Sequence, residues 1–274
     1  MNLNNLICKG SLIIAVALFV VVTSAYASET EELTAATIVN KSNLASYYAG
    51  TDGRSDARMK IVDSQGRVQY RQFVMLRKNQ QENMKQHFLV VFSRPTDVRD
   101  TVFLVDKKPQ SDDDRWLYLP GLDLVKRISS GDKRTSFVGS HFYYEDVSGR
   151  SPLLDNHELI NQDKENYYLK HTPKSPDTVE FAYYTSTINK QTFLPMHVIY
   201  YDSNDKPLRT MEVNQVKIIE SFPTVTEATL IDHRLNGHTL IQFRFMDYNL
   251  GIPEQVFSER SLRNPPDKWL QRTQ

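Results

Sequence analysis

Apolar and polar residues alternate with a period of two over most of this chain, the mark of strands with one buried face. Ala57, Met59 and Ile61 alternate with Arg58 and Lys60, and the turn Asp63-Ser64-Gln65-Gly66 leads into a second such run over residues 68–76, predicting a hairpin. Residues 88–92 are an apolar run, as expected of a central strand covered on both faces. Further strands are predicted at 101–105, 116–119, 166–171, 178–184, 196–201 and 208–219. Two more, 228–235 and 239–246, flank Asn236-Gly237, a pair that tolerates the positive φ of a tight hairpin turn. Residues 253–262 predict a short closing strand or a helical turn. Near the N-terminus the period changes. Residues 33–48 place Leu33, Thr37, Leu44 and Tyr48 near one stripe, predicting a helix that Thr30 caps, that Glu31 and Glu32 complement at its positive end, and that Ala49-Gly50 ends.

So many antiparallel strands in one chain must curl or close, because a long flat sheet leaves exposed edges. The predicted fold is mainly β: one strongly curved antiparallel sheet of about eleven strands, with the N-terminal helix and short lid helices over its concave face. A two-sheet sandwich is the alternative.

The first residues read as an export signal. Lys9 precedes an apolar run over residues 12–22, and Ala25-Tyr26-Ala27 predicts cleavage between Ala27 and Ser28. The run is short for a span of about 20 residues. The expected organisation is a signal peptide over 1–27 and one domain over 28–274, in the periplasm. The single cysteine, Cys8, precedes the apolar run, so the mature chain would carry neither a lipid anchor nor a disulfide. Lys and Arg number 33 and Asp and Glu 33, and removing Lys9 leaves one acid in excess. That balance argues against a nucleic-acid partner and against electrostatic attachment to anionic lipid.

Chemistry is hard to find in these residues. None of the seven histidines (His87, His141, His157, His171, His197, His233, His238) pairs at the i, i+4 spacing of a zinc helix. Asp112-Asp113-Asp114 lacks calcium-loop spacing and reads as a solvated loop. Glu145 and Asp146 are neighbours on an extended segment and point apart, and Ser140-His141 adjacency is not triad geometry. No nucleophile elbow, phosphate loop or dinucleotide fingerprint appears. No catalytic residue, metal or cofactor is expected.

What stands out is apolar. Ile241, Phe243 and Phe245 line one face of a strand, and Phe88, Val90 and Phe92 give a comparable face. Core packing explains any one of them. Together, on a concave sheet with few helices, they could wall a cavity for acyl chains, whose burial is worth about 0.8 kcal/mol per CH₂. These six are the candidate cargo face, with Trp116, Tyr118, Phe142 and Tyr144 as the candidate mouth. Arg127, between Val125 and Ile128, is a candidate lid latch that would bond to lid carbonyls or to Asp146.

The stretch holding these aromatics resembles a known family. Trp116-Leu117-Tyr118-Leu119-Pro120, Lys126-Arg127-Ile128-Ser129, Phe137-Val138-Gly139-Ser140 and Phe142-Tyr143-Tyr144-Glu145-Asp146 occur in the order and spacing of LolA-like outer-membrane lipoprotein-sorting proteins. The likeness spans residues 33–262, with one departure: His141 stands where the family usually has Asp. The resemblance implies an incomplete β-barrel around an apolar cavity and a monomeric, non-enzymatic periplasmic carrier of lipid or acylated lipoprotein. It also implies transient membrane contact and an inner-membrane exporter of the RND type as partner. A hydrolase on the same fold, or an accessory subunit of an exporter, are the alternatives.

Overall fold

The computed structural model describes residues 33–80 and 84–272. The expected signal, the Ala27–Ser28 cleavage site and the Thr30 cap lie outside the described residues. The first element is helix α1, Ala35–Tyr47, capped by Thr34, whose side chain accepts from the Thr37 N–H at 3.2 Å. Ile38 and Val39 pack onto Leu169 and Ile188 of the sheet.

Six strands follow in a meander: β1 Asp52–Val62, β2 Val68–Gln80, β3 Lys85–Arg94, β4 Val102–Lys107, β5 Asp114–Leu119 and β6 Leu124–Arg127. A long connection carries helix α2, Tyr144–Ser148, to a second meander. That one contains β7 Asp155–Gln162, β8 Asn166–Pro173, β9 Tyr183–Asn189, β10 Pro195–Tyr201, β11 Pro207–Ile219, β12 Phe222–Asp232 and β13 Gly237–Tyr248. β13 pairs with β1, joining both meanders into one antiparallel sheet of thirteen strands that runs from β6 at one edge to β7 at the other. The sheet is curved and open, not closed into a barrel. Expectation fell short by two strands, mainly because the edge strands β6 and β7 carry weak alternation. Thr178 belongs to a 3₁₀ turn, so the strand expected at 178–184 begins at Tyr183. Residues 253–262 form no strand; they contain a 3₁₀ turn at Glu254–Val256 and the start of helix α3, Arg260–Arg263, before α4, Asp267–Leu270.

The two faces of β1–β5 sort by parity, as side chains alternating across a pleat must. Met59, Phe73, Phe88, Val90, Phe92, Phe103, Val105 and Leu117 face the concave side, where Phe137 and Tyr144 of the β6–β7 connection close over them. Leu76, Leu89, Val91, Val102 and Leu104 face outward, where Ile252, Val256, Phe257 and Leu262 of the C-terminal segment cover them. A strand apolar on both faces, as at residues 88–92, is thus explained by one core on each side.

Candidate functional site

The concave face is not filled. Between it, the C-terminal half of α1 and α2 lies a cavity of about 270 Å³, walled by Tyr47, Met59, Met75, Phe88, Phe142, Val147, Met211, Val213, Ile241, Phe243 and Met246 among others. Of the candidate cargo face, Phe88, Ile241 and Phe243 meet there, joined by Phe142 of the candidate mouth. Val90, Phe92 and Tyr144 are buried next to it, in the packed layer where Phe92 and Tyr144 both lie against the Phe137 ring.

Phe245, Trp116 and Tyr118 go elsewhere. Strict alternation would place Phe245 with Ile241 and Phe243. However, the β1–β13 register shifts between Arg54 and Asp56, and Phe245 takes φ 49°. Such a bulge inserts one residue and reverses the parity beyond it. Phe245 therefore emerges on the outer face beneath the Arg272 guanidinium, 3.7 Å from its ring centre, and Met246 takes the inward place. Trp116 and Tyr118 also belong to the outer layer, because Leu117 and Leu119 hold the inward positions of β5. Tyr118 meets Asp123 and Arg263 there.

The lid is a tight hairpin followed by α2. Phe137 N–H donates to the Phe142 carbonyl at 2.7 Å, and Val138 and Gly139 turn the chain with positive φ. Asp146 accepts from the Tyr143 N–H at 2.7 Å, capping α2. At the other end Gly149 has φ 76°, and a Cβ there would lie 2.4 Å from the Tyr47 ring, so only glycine lets α2 approach α1 this closely.

Buried ion pairs tie this lid to the sheet. Arg209, 1% exposed, reaches Asp146 and the His141 carbonyl and stacks 3.7 Å over the Tyr143 ring. Arg134 joins Glu145 to Glu180, and Arg150 forks onto Asp155. The Lys107 ammonium, pushed down to about 8 by burial, donates to the Ser148 carbonyl. The expected Arg127–Asp146 latch is not formed: Arg127 lies exposed on edge strand β6 and pairs with Asp114, while Asp146 belongs to Arg209. His141 is packed, its backbone N–H and Nδ1 on the Thr239 hydroxyl and its ring against Gly237. Burial holds its imidazole below the usual range.

The clamps on the cavity come from β2. Its inward row reads Arg71, Phe73, Met75, Arg77, two aromatic or aliphatic side chains between two cations. Arg77, pulled down to about 10 by burial, donates to the Tyr47 and Ala49 carbonyls at the end of α1. Asn79 and Gln86 add bonds to the Gly50 and Tyr47 carbonyls at 2.7 and 2.6 Å. Arg71 donates to the Val138 carbonyl at the lid tip at 3.3 Å. Sequence reasoning passed over both, although the parity of Phe73 pointed to them: an arginine two or four residues along a strand from a buried phenylalanine shares its face.

Among the described residues no group of three or more His, Asp, Glu or Cys is placed to hold a metal, and no helix is long and apolar enough to cross a membrane.

A family model described only as an uncharacterized protein matches residues 84–264, more than half the chain. The structure resembles a DUF1329 family protein from Desulfovibrio piger, at 28% identity and TM-score 0.74, over 82% of this chain and 95% of that one. The chain belongs to the family of that uncharacterized-protein model. The same fold recurs in a structure named as an outer membrane lipoprotein-sorting protein domain from Vibrio parahaemolyticus, at 23% identity and TM-score 0.76, covering 84% and 98% of the two chains. It recurs again in a LolA superfamily protein from Nitrosomonas europaea, at 15% identity and TM-score 0.63, covering 84% and 99%. Curated proteins give no match.

Proposed function

We propose that this protein is a periplasmic carrier that shelters acyl chains of lipid or lipid-modified protein on their way to the outer membrane. The observation that carries this reading is the apolar cavity left open on the concave face of a LolA-like sheet. Water gains nothing from wetting Phe88, Phe142, Ile241 and Phe243, whereas each methylene buried against them contributes about 0.8 kcal/mol. No covalent step is needed for transfer.

The cavity of about 270 Å³ lies just under the roughly 300–1,000 Å³ range of pockets that enclose whole small ligands. A full acyl chain therefore requires α1 and the lid to move apart. Arg77 is placed to control that step, since its bonds end on the carbonyls that close α1. The reading includes export by a signal cleaved between Ala27 and Ser28, an inner-membrane exporter of the RND type as donor, and transient membrane contact as a monomer. A transfer assay tests it. Purified protein should move a fluorescent acylated peptide from donor to acceptor vesicles, and Phe243→Glu should abolish the transfer. Unchanged transfer by Phe243→Glu would remove the cavity from the account.

A further inference from the structure

A second chamber, of about 190 Å³, lies under α1 beside the apolar cavity. The two share Ser46, Tyr47, Phe142, Asp146, Pro195 and Met211 in their walls, so they adjoin. The wall chemistry changes along the way. In the second chamber β8 and β9 contribute His171, Tyr184 and Ser186, and α1 contributes Ser42, Asn43 and Ser46.

The strand residues are already engaged. His171 Nε2 meets the Ser186 hydroxyl at 2.7 Å, and the Tyr184 hydroxyl donates to Asp155 at 2.9 Å. The helix residues are not: no hydrogen bond joins the side chains of Ser42, Asn43 or Ser46 to another described residue. Ser42 is only 7% exposed. A helix face turned toward a sheet ordinarily carries apolar residues, as Ile38 and Val39 do one turn earlier. Ser42 instead presents an unused donor and acceptor to the chamber, with Asn43, half-buried, beside it, while Ser46 one turn on is exposed.

The charge in these walls is balanced. Arg150 is forked onto Asp155, Asp146 is paired with Arg209, and Glu145 with Arg134. The imidazole of His171 is kept neutral, pushed down to about 3 by burial and then by His157. No cation in the wall is spare for a phosphate, and two carboxylates stand in its way.

We propose that this chamber receives the polar end of the cargo, and that this end is uncharged: a hydroxyl- or ester-bearing head such as a glycerol ester, with its chain in the apolar cavity. The proposal rests on the carrier reading and narrows it. The head would satisfy Ser42 and Asn43, which the fold leaves unmade.

Displacement of a fluorescent fatty-acyl probe from the mature protein tests it, with monooleoylglycerol and oleoyl lysophosphatidate as competitors sharing one chain. The expected result is at least a tenfold preference for monooleoylglycerol. Ser42→Ala combined with Asn43→Leu should remove that preference while leaving displacement by octadecene unchanged, which also reports that the variant is folded. An oleoylated S-glyceryl cysteine peptide separates two sources of the same head. Displacement by it assigns lipid-modified protein, displacement by the free ester alone assigns free lipid, and either supports the chamber. Equal affinity for both competitors, or a preference the double variant keeps, overturns the chamber while the carrier reading stands. Failure of every chain-bearing competitor to displace the probe overturns both.

Discussion

Two phenylalanines on the concave face separate cavity from core. Phe243 borders the cavity and is partly exposed, whereas Phe103 is 0% exposed between Phe137 and Tyr144. A carboxylate at 243 can stay hydrated in the cavity; one at 103 would be buried without a partner. Phe243→Glu should therefore keep its circular dichroism and lose acyl-chain binding, while Phe103→Glu should fail to fold. The two arginines proposed and found at the lid divide in the same way. Arg209→Ala leaves Asp146 without its buried partner and should cost about 3–5 kcal/mol in denaturant unfolding. Arg127→Ala removes an exposed pair with Asp114 and should leave the unfolding midpoint essentially unchanged. His171 gives a pH signature. It is held neutral, with Nδ1 2.7 Å from His157 Nδ1, and its folded value of about 3 lies below the ordinary histidine value of 6.5. Between those values the unfolded chain binds more protons, so stability falls as pH drops below 6.5, by about 1.4 kcal/mol per unit at most. His171→Gln should flatten that acid limb, read as the unfolding midpoint from pH 7 to 4.5; identical limbs in both proteins would refute the assignment.

At the scale of elements, alternation was a good guide wherever the ladder is regular. The rows of β1 and β3 could be read directly: β1 sets Ala57, Met59 and Ile61 against the polar Arg58 and Lys60, and β3 has an apolar layer on each side. It misplaced Phe245, since a bulge is set by the φ of one residue and the pairing of two strands, neither of which hydrophobicity records. Trp116 and Tyr118 were misassigned for another reason: both faces of β5 are buried, and parity alone could not say which face held the cavity. The clamp was sought in the aromatic stretch and is found in β2. Arg77→Ala should free the end of α1, raising amide exchange at residues 44–48 by about tenfold or more, as loss of roughly 1.4 kcal/mol of local protection implies. It should also speed cargo release. Exchange in α1 equal to that of the unaltered protein would show that Asn79 and Gln86 hold the helix without it.

The whole molecule follows from one pairing. Joining β1 to β13 converts two meanders into a single curved sheet and leaves β6 and β7 as edges, with the lid crossing between them. Strand number and curvature were legible in outline, and the four motif blocks located the lid. The volume of the cavity was not, because it depends on how far α1 is held from the sheet by Gly149, Tyr47 and Arg77. The central claim is that this space carries an acyl chain. Native mass spectrometry of the protein, gently extracted from the cells that make it, tests it most directly. The account predicts a one-to-one complex with an acyl-bearing lipid or lipid-modified protein, absent from Phe243→Glu. A mass equal to the bare protein in every preparation, with no acyl group recovered on denaturation, would contradict it.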